Sequence, residues 1–201
     1  MINIFVAAGL VYFTIISCFA EKIVVGEIEK IYLEEIDHVF TARIDTGAVT
    51  SSIHADNITR FERDGERWVR FDIEIIEKPK KKRSKKKSKD KDSEVVSKPK
   101  KIITVERPIV RKVKIVQSND DEAEKRIVVN FRYTIGTISQ TAEFSLTDRK
   151  HLEFPVLVGR NILKDFMIVD VSKKNICPPD LKKNSNKKIK VPVVRPSDKQ
   201  E

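Results

Sequence analysis

The chain contains one Asp-Thr-Gly tripeptide, Asp45-Thr46-Gly47, followed by Ala48 and then by Thr50, Ser51 and Ser52. A carboxylate beside a tight glycine turn can exchange a proton with water or with a substrate. Arg43-Ile44 can end a strand with Ile44 buried, Gly47 lets the backbone turn and approach closely, and Ala48 keeps the floor of the turn small. The tripeptide also fits a plain turn between two strands, because Asp and Gly are turn formers. Far downstream lies a second run, Val156-Leu157-Val158-Gly159-Arg160-Asn161-Ile162-Leu163. Several familiar catalytic and phosphate-binding motifs do not occur in the sequence. There is no His-Glu-x-x-His zinc motif and no Gly-x-x-x-x-Gly-Lys-Ser/Thr phosphate loop. Ser and His occur, but without a nucleophile elbow.

The two runs, in this order, resemble the two halves of a retropepsin-type aspartic protease subunit. Thr41 to Ala48, Ser51 to Ala55, Arg67 to Phe71 and Leu146 to Arg149 narrow the match. They are similar to a bacterial and archaeal family of retropepsin-like domains, labelled "putative ATP-dependent zinc protease". The resemblance covers roughly Lys22 to Ser172. It implies an all-β fold, a small closed acid-protease barrel with one short C-terminal helix. It implies that Asp45 is the catalytic carboxylate, held in place by Thr46 and Gly47, with Ala48, Gly159, Arg160 and Asn161 in support. Two carboxylates facing one water cannot both ionise, so the pair shares a proton and one of them acts as base. One copy of the motif supplies half of such a pair. The expectation is therefore a homodimer with one Asp45 from each subunit on a two-fold axis, acting on a peptide or protein substrate.

The sequence departs from the retroviral pattern at one place. There, a carboxylate four positions past the catalytic Asp pairs with the Arg of Gly-Arg-Asn; here that position is Val49. Arg160 needs another partner, a main-chain carbonyl or a carboxylate elsewhere. Arg43, His54 and Arg149 are candidates for binding substrate, the two arginines for an acidic one. The alternative roles are structural: His54 as a local hydrogen-bonder, Arg149 paired to a core carboxylate, Asp148 in a turn. No cofactor is expected, because His38, His54 and His151 are not spaced as ligand pairs. A composite zinc site of His54, Asp56 and His151 would be the basis of a metal-dependent hydrolase. A non-catalytic module binding a peptide or an envelope ligand is the other alternative.

Residues 1–20 read as a leader. Ile4 to Ile16 is uncharged and apolar, short for a membrane span and suited to the apolar core of a signal peptide. Cleavage after Ala20 gives an exported chain, periplasmic or extracellular; lipidation at Cys18 gives a lipid-anchored one; an uncleaved leader is the third alternative, a membrane anchor. Cleavage after Ala20 leaves Cys177 as the sole cysteine, without a partner for an intrachain disulfide.

The net charge of +10 is concentrated in two segments. Residues 78–101 hold 13 Lys/Arg against 3 Asp/Glu, and residues 172–201 hold 9 against 3, so the remainder is net acidic. Residues 78–101 read as a disordered, Lys-rich insertion, and 172–201 as a basic flexible tail. The insertion lacks interleaved aromatics, which argues against specific nucleic-acid binding and leaves two readings: a solvated loop without a dedicated partner, or a contact with anionic membrane or cell-wall polymers. The domain is expected over 21–171.

Few glycines and many Val, Ile, Thr and Phe positions favour strands. Strands are expected over Lys22–Ile31, Val39–Ile44, near Ile58, as one or two strands over Ile102–Val116 around Pro108, over Arg126–Ile135 and Ile138–Leu146, and over Val156–Val158 and Met167–Val171. Asp64-Gly65 is a hairpin signal. After it Val69, Phe71, Ile73 and Ile75 alternate with Trp68, Arg70, Asp72 and Glu74, the period of a half-buried strand. Trp68 falls on the polar face, where it is expected to pack; a place in the substrate groove is the alternative. A helix is expected over Asn161–Phe166. The Asp64-Gly65 hairpin and the acidic turn Asn119–Glu124 are the candidates for a flap over the substrate.

Overall fold

The computed structural model describes residues 21–76, 100–115 and 124–181. The expected leader, nearly all of the Lys-rich insertion, most of the acidic turn and the last 20 residues lie outside the described residues.

Among the described residues, eleven strands and one short helix follow in order: β1 (Ile23–Leu33), β2 (His38–Ile44), β3 (Ser51–His54), β4 (Asp56–Arg63), β5 (Glu66–Ile76), β6 (Lys100–Pro108), β7 (Arg111–Ile115), β8 (Glu124–Ile135), β9 (Ile138–Thr147), β10 (Val156–Val158), α1 (Arg160–Leu163) and β11 (Met167–Lys174). The main sheet runs β11-β1-β2-β10-β3-β9-β8-β7, and an additional β1–β8 pairing closes six of its strands into a barrel. β11 and β7 flank the closure. A three-stranded sheet, β4-β5-β6, packs beside it. This is the small closed barrel with one short C-terminal helix expected of a retropepsin-like chain.

The alternation in β5 places Val69, Phe71, Ile73 and Ile75 in the core, as the period of two requires. Phe71 meets Phe131 edge to face at 6.2 Å, and Phe131 meets Phe144 at 5.7 Å. This chain of rings runs from the small sheet into the barrel wall, each contact in a geometry that aromatic quadrupoles favour. Arg107 of β6 crosses the same gap: its Nε donates to Asn130 O and its Nη2 lies 3.2 Å from Glu35 Oε1. Burial pushes the Glu35 carboxyl above its ordinary range, with Arg107 pulling the other way. β3 is buried at all four positions, the pattern of a strand covered on both faces.

At Asp64-Gly65, φ is 53° and 76°, the two left-handed positions of the tight hairpin turn. Trp68 is half-buried and packs against Phe61 at 6.4 Å, with the Arg63 guanidinium 4.6 Å above its ring. Several boundaries differ from the sequence reading. The short strand near Ile58 is the middle of an eight-residue strand, β4. Lys100 and Lys101, assigned to the insertion, pair with Ile76 and Ile75 in β6. The helix is Arg160–Leu163 only, and a turn fills 164–166. β11 runs to Lys174, so the expected start of the tail at 172 lies inside a strand.

The reason for the longer C-terminus is a carboxylate the sequence reading passed over. Glu29 is fully buried. It accepts hydrogen bonds from the N–H groups of Gly26 (2.7 Å), Ile176 (3.1 Å) and Cys177 (3.0 Å). These pin 175–177 to β1, and Asp180 N–H then reaches Gly136 O at 2.8 Å. Burial, with the negative Glu29 nearby, pushes the Cys177 thiol up, which favours an inert packing role.

Candidate active site

Three strands deliver the site. β10 lies between β2 and β3, parallel to the first and antiparallel to the second. The Asp45 N–H extends the β2–β10 ladder by donating to Val158 O at 2.9 Å. The chain then leaves the sheet and turns. Asp45 Oδ1 accepts from Gly47 N at 2.8 Å and Ala48 N at 3.2 Å. Oδ2 accepts no hydrogen bond among the described residues, so one oxygen is anchored and the other is open. Asp45 itself is half-buried, with Thr46 and Gly47 exposed.

The second run sits behind this turn. Arg160 N donates to Ala48 O at 2.8 Å and Asn161 N to Val49 O at 3.1 Å. Arg160 Nη1 donates to both Thr46 O and Gly47 O at 3.1 Å. With Val49 in the place of a carboxylate, main-chain oxygens take over the role of partner. Gly159 permits the approach: a Cβ there would stand 2.9 Å from Ala48 O and 3.0 Å from the Thr50 carbonyl carbon. Asn161 Oδ1 accepts from the Ser51 N–H and from the Ser51 hydroxyl, while its Nδ2 donates to Glu143 O at 2.8 Å. Gly159 N donates to Ser51 Oγ at 2.9 Å, and Ser145 Oγ donates to Ser51 O. Ser51 therefore joins β3, β9 and the start of α1. The sequence reading noted Ser51 without giving it a role; the signal was a hydroxyl residue entering a wholly buried strand.

Arg149 is 8% exposed. Its Nε donates to Phe154 O at 3.2 Å and its Nη1 to Ser52 Oγ at 3.1 Å. The expected core carboxylate is not its partner; a carbonyl and a hydroxyl share the charge instead. Burial lowers the guanidinium pKa, Arg126 adds to that lowering, and the negative charge of Asp45 opposes both. Arg149 and Asp45 are thus electrostatic neighbours. So is Arg126 of β8, which sequence reasoning did not single out. Arg43 falls on the exposed face of β2, between buried Ala42 and Ile44, and its charge acts on Glu27.

His54 has both ring nitrogens engaged. Nδ1 accepts from Arg149 N at 2.9 Å, and Nε2 lies 3.3 Å from Asp56 Oδ2. Asp56 Oδ1 in turn meets Lys150 Nζ at 2.9 Å. This ring orients the Arg149 backbone and has no nitrogen left for a metal. The residues of the composite zinc site therefore do not fit a zinc ion. No cluster of three or more His, Cys, Asp or Glu arranged to hold a metal occurs among the described residues. Asp148 forms the expected turn, accepting from Lys150 N at 2.8 Å.

Of the flap candidates, the Asp64-Gly65 turn ends a hairpin that leaves β3 at His54, the end away from Asp45. The Asn119–Glu124 turn lies almost wholly outside the described residues.

The family model described as RimB-like, retropepsin-like aspartic endopeptidase RimB, matches residues 24–97 and 90–180. Curated relatives bear the name probable alpha-L-glutamate ligase. The one from Shewanella pealeana is 34% identical over 131 residues, 65% of this chain and 24% of that protein. The one from Desulfotalea psychrophila is 30% identical over 129 residues, 64% of this chain and 24% of that protein. The one from Parasynechococcus marenigrum is 30% identical over 150 residues, 74% of this chain and 28% of that protein. The chain thus spans about a quarter of the length of these relatives. A crystal structure of a Legionella pneumophila protein of unknown function aligns with a TM-score of 0.57 at 28% identity, covering 78% of this chain and 98% of that one. With the Asp45 turn backed by Gly159-Arg160-Asn161 on a closed six-stranded barrel, the chain belongs to the RimB-like family of retropepsin-like aspartic endopeptidases.

Proposed function

We propose that two copies of the chain assemble about a two-fold axis and hydrolyse a peptide or amide bond with a water held between their Asp45 carboxylates. The observation that carries this reading is the state of Asp45: Oδ1 is fixed by two backbone N–H groups while Oδ2 is open. A carboxylate held in this way faces outward from a rigid turn, ready for a partner and a water. The ionised member of the pair removes a proton from the water as its oxygen attacks the carbonyl carbon. The protonated member donates to the carbonyl oxygen. The tetrahedral adduct then collapses: the C–N bond breaks, the nitrogen takes up a proton, and a carboxyl and an amine are released.

The substrate we infer is a peptide bearing glutamyl side chains. Two observations support this. The relatives that match a quarter of their length to this chain are named for glutamate ligation, and the positive Arg149, with no carboxylate partner among the described residues, is the electrostatic neighbour of Asp45. The apolar leader supports export of the chain.

The test is sedimentation of the mature domain across a concentration range, with glutamyl-peptide cleavage by the parent and by Asp45→Asn. The expected result is a dimer that cleaves, and a variant that keeps fold and dimer but loses activity by about 10²-fold or more. Cleavage surviving Asp45→Asn would sink the mechanism. A chain that stays monomeric at high concentration would leave Asp45 without its second carboxylate and favour a peptide-binding module on the same barrel.

A further inference from the structure

Sheet register sets what stands around the Asp45 turn. Ile28 pairs with Arg43 at the end of the β1–β2 ladder. Continued by two residues, that register brings Gly26 to about the level of Asp45. β1 runs on past this level, where Ile23 to Gly26 pair with Met167 to Asp170 of β11. Val24 and Ile168 are cross-strand partners in this two-stranded extension, about 7 Å beyond Gly26 along the strand. They are 42% and 56% exposed. Val49, four residues after Asp45, is 65% exposed. Its main chain is fixed by the bond from Asn161 N to Val49 O, so its side chain projects from a held turn.

These aliphatic side chains bracket Asp45. The sheet order here is β11-β1-β2-β10-β3. Asp45 follows β2, Val24 and Ile168 lie on the β1–β11 side of it, and Val49 leads into β3 on the other. The charges beside the Val24–Ile168 pair are neutralised within the chain: Glu27 meets Lys174 and Asp170 meets Lys173, each at 2.9 Å. An apolar centre rimmed by charges that already have partners suits an apolar contact rather than an ionic one.

We propose that this end of the barrel is the contact surface between two copies of the chain, with Val49 of each copy seated against Val24 and Ile168 of the other. The proposal rests on the two-fold reading of Asp45 given above and names the residues that hold the copies together. The axis passes beside Asp45, at right angles to the line from Val24 to Val49. Rotation about it exchanges the two flanks, so the β1–β11 side of one copy faces the β3 side of the other, and the contact is self-complementary. Aliphatic surface that each copy alone leaves in water is then buried around the paired Asp45 turns. The same contact gives Val49 a role. Arg160 is held by Thr46 O and Gly47 O and needs no carboxylate at position 49. That position is free to present an apolar side chain to the other copy.

Sedimentation equilibrium of the full chain tests this, with circular dichroism to check that each variant keeps its β content. Ile168→Glu alone, or Val49→Lys alone, sets a charge against aliphatic side chains of the other copy. Each should raise the dimer Kd about tenfold or more. The two together set Glu against Lys in both halves of the contact and should return the Kd toward that of the parent. Val39→Lys is the control: Val39 is exposed but pairs with Tyr32 at the opposite end of β2, and the Kd should not move. A dimeric parent whose Kd is indifferent to both single changes would overturn the surface and leave the Asp45 pair standing. Losses in the single variants that the double variant does not recover would overturn the seating of Val49 on Val24 and Ile168. An equal loss in Val39→Lys would assign the effect to charge anywhere on the barrel and overturn it as well. A parent that is monomeric at every concentration would remove the two-fold reading itself, and this surface with it.

Discussion

Ser51 and Asn161 are joined twice: Asn161 Oδ1 accepts from the Ser51 N–H and from the Ser51 hydroxyl, each at 2.8 Å. The pair links the end of the Asp45 turn to the first turn of α1, and the same hydroxyl oxygen accepts from Gly159 N. Asn161→Ala would leave the buried Ser51 N–H without its acceptor. The expected cost is about 1–3 kcal/mol in urea unfolding. Ser51→Ala with Asn161→Ala in a double-mutant cycle should show a coupling of about 1 kcal/mol, since the two side chains share one bond. Strict additivity would mean that the network does not act as a unit.

Gly159→Ala tests how closely the two motifs must approach. The new methyl would meet Ala48 O at 2.9 Å and the Thr50 carbonyl at 3.0–3.1 Å, all backbone atoms. Neither can give way without moving the turn that holds Asp45. The expected loss is about 1–3 kcal/mol of stability, with cleavage falling by a larger factor than the unfolded fraction accounts for. A variant equal to the parent in both measurements would show that the turn has slack.

Glu106 provides a pH signature on the small sheet. Burial raises its carboxyl pKa, but the hydrogen bonds from Arg63 and Arg70 outweigh burial and hold it below the ordinary range. A carboxylate with a depressed folded pKa contributes stability above its unfolded value, near pH 4.3, and loses it as pH falls through the lower folded value. Both arginines are about half exposed, so the contribution should be about 1 kcal/mol or less and should shrink in salt. Melts of parent and Glu106→Gln should differ at pH 7 and converge below pH 4. A gap that persists in acid would assign the difference to packing.

Period and motif carried much of this fold into view before any coordinates. The alternation after Gly65, the turn residues at 64–65 and 136–137, and the pairing of Asp-Thr-Gly with Gly-Arg-Asn are local signals. Each of them reads directly as geometry. What stayed hidden was set by partners distant in sequence. Nothing near Arg149 announces that a carbonyl and a hydroxyl, rather than a carboxylate, will hold it. Ser51 gains its role only when β10 comes to lie beside β3. The C-terminal boundary was missed because residues 172–177 look like a charged tail, and their anchor, Glu29, lies at the other end of the chain.

That anchor is the place to test how the C-terminal segment is held. Glu29 is fully buried, and its carboxylate satisfies three N–H groups, two of them in 176–177. Glu29→Ala would strip all three donors of their acceptor inside the protein. Loss of a buried, charge-assisted acceptor costs about 3 kcal/mol or more, so Glu29→Ala should melt far below the parent. Glu29→Gln keeps the shape and one carbonyl acceptor but brings an amide donor among three other donors. It should recover only part of the loss. The sharper measurement is local: hydrogen exchange at the Ile176 and Cys177 amides should quicken in Glu29→Gln, while the amides of β9, whose partners are β3 and β8, stay protected. Slow exchange at 176–177 in that variant would mean that the pairing of β11 with β1 holds the segment without help from Glu29.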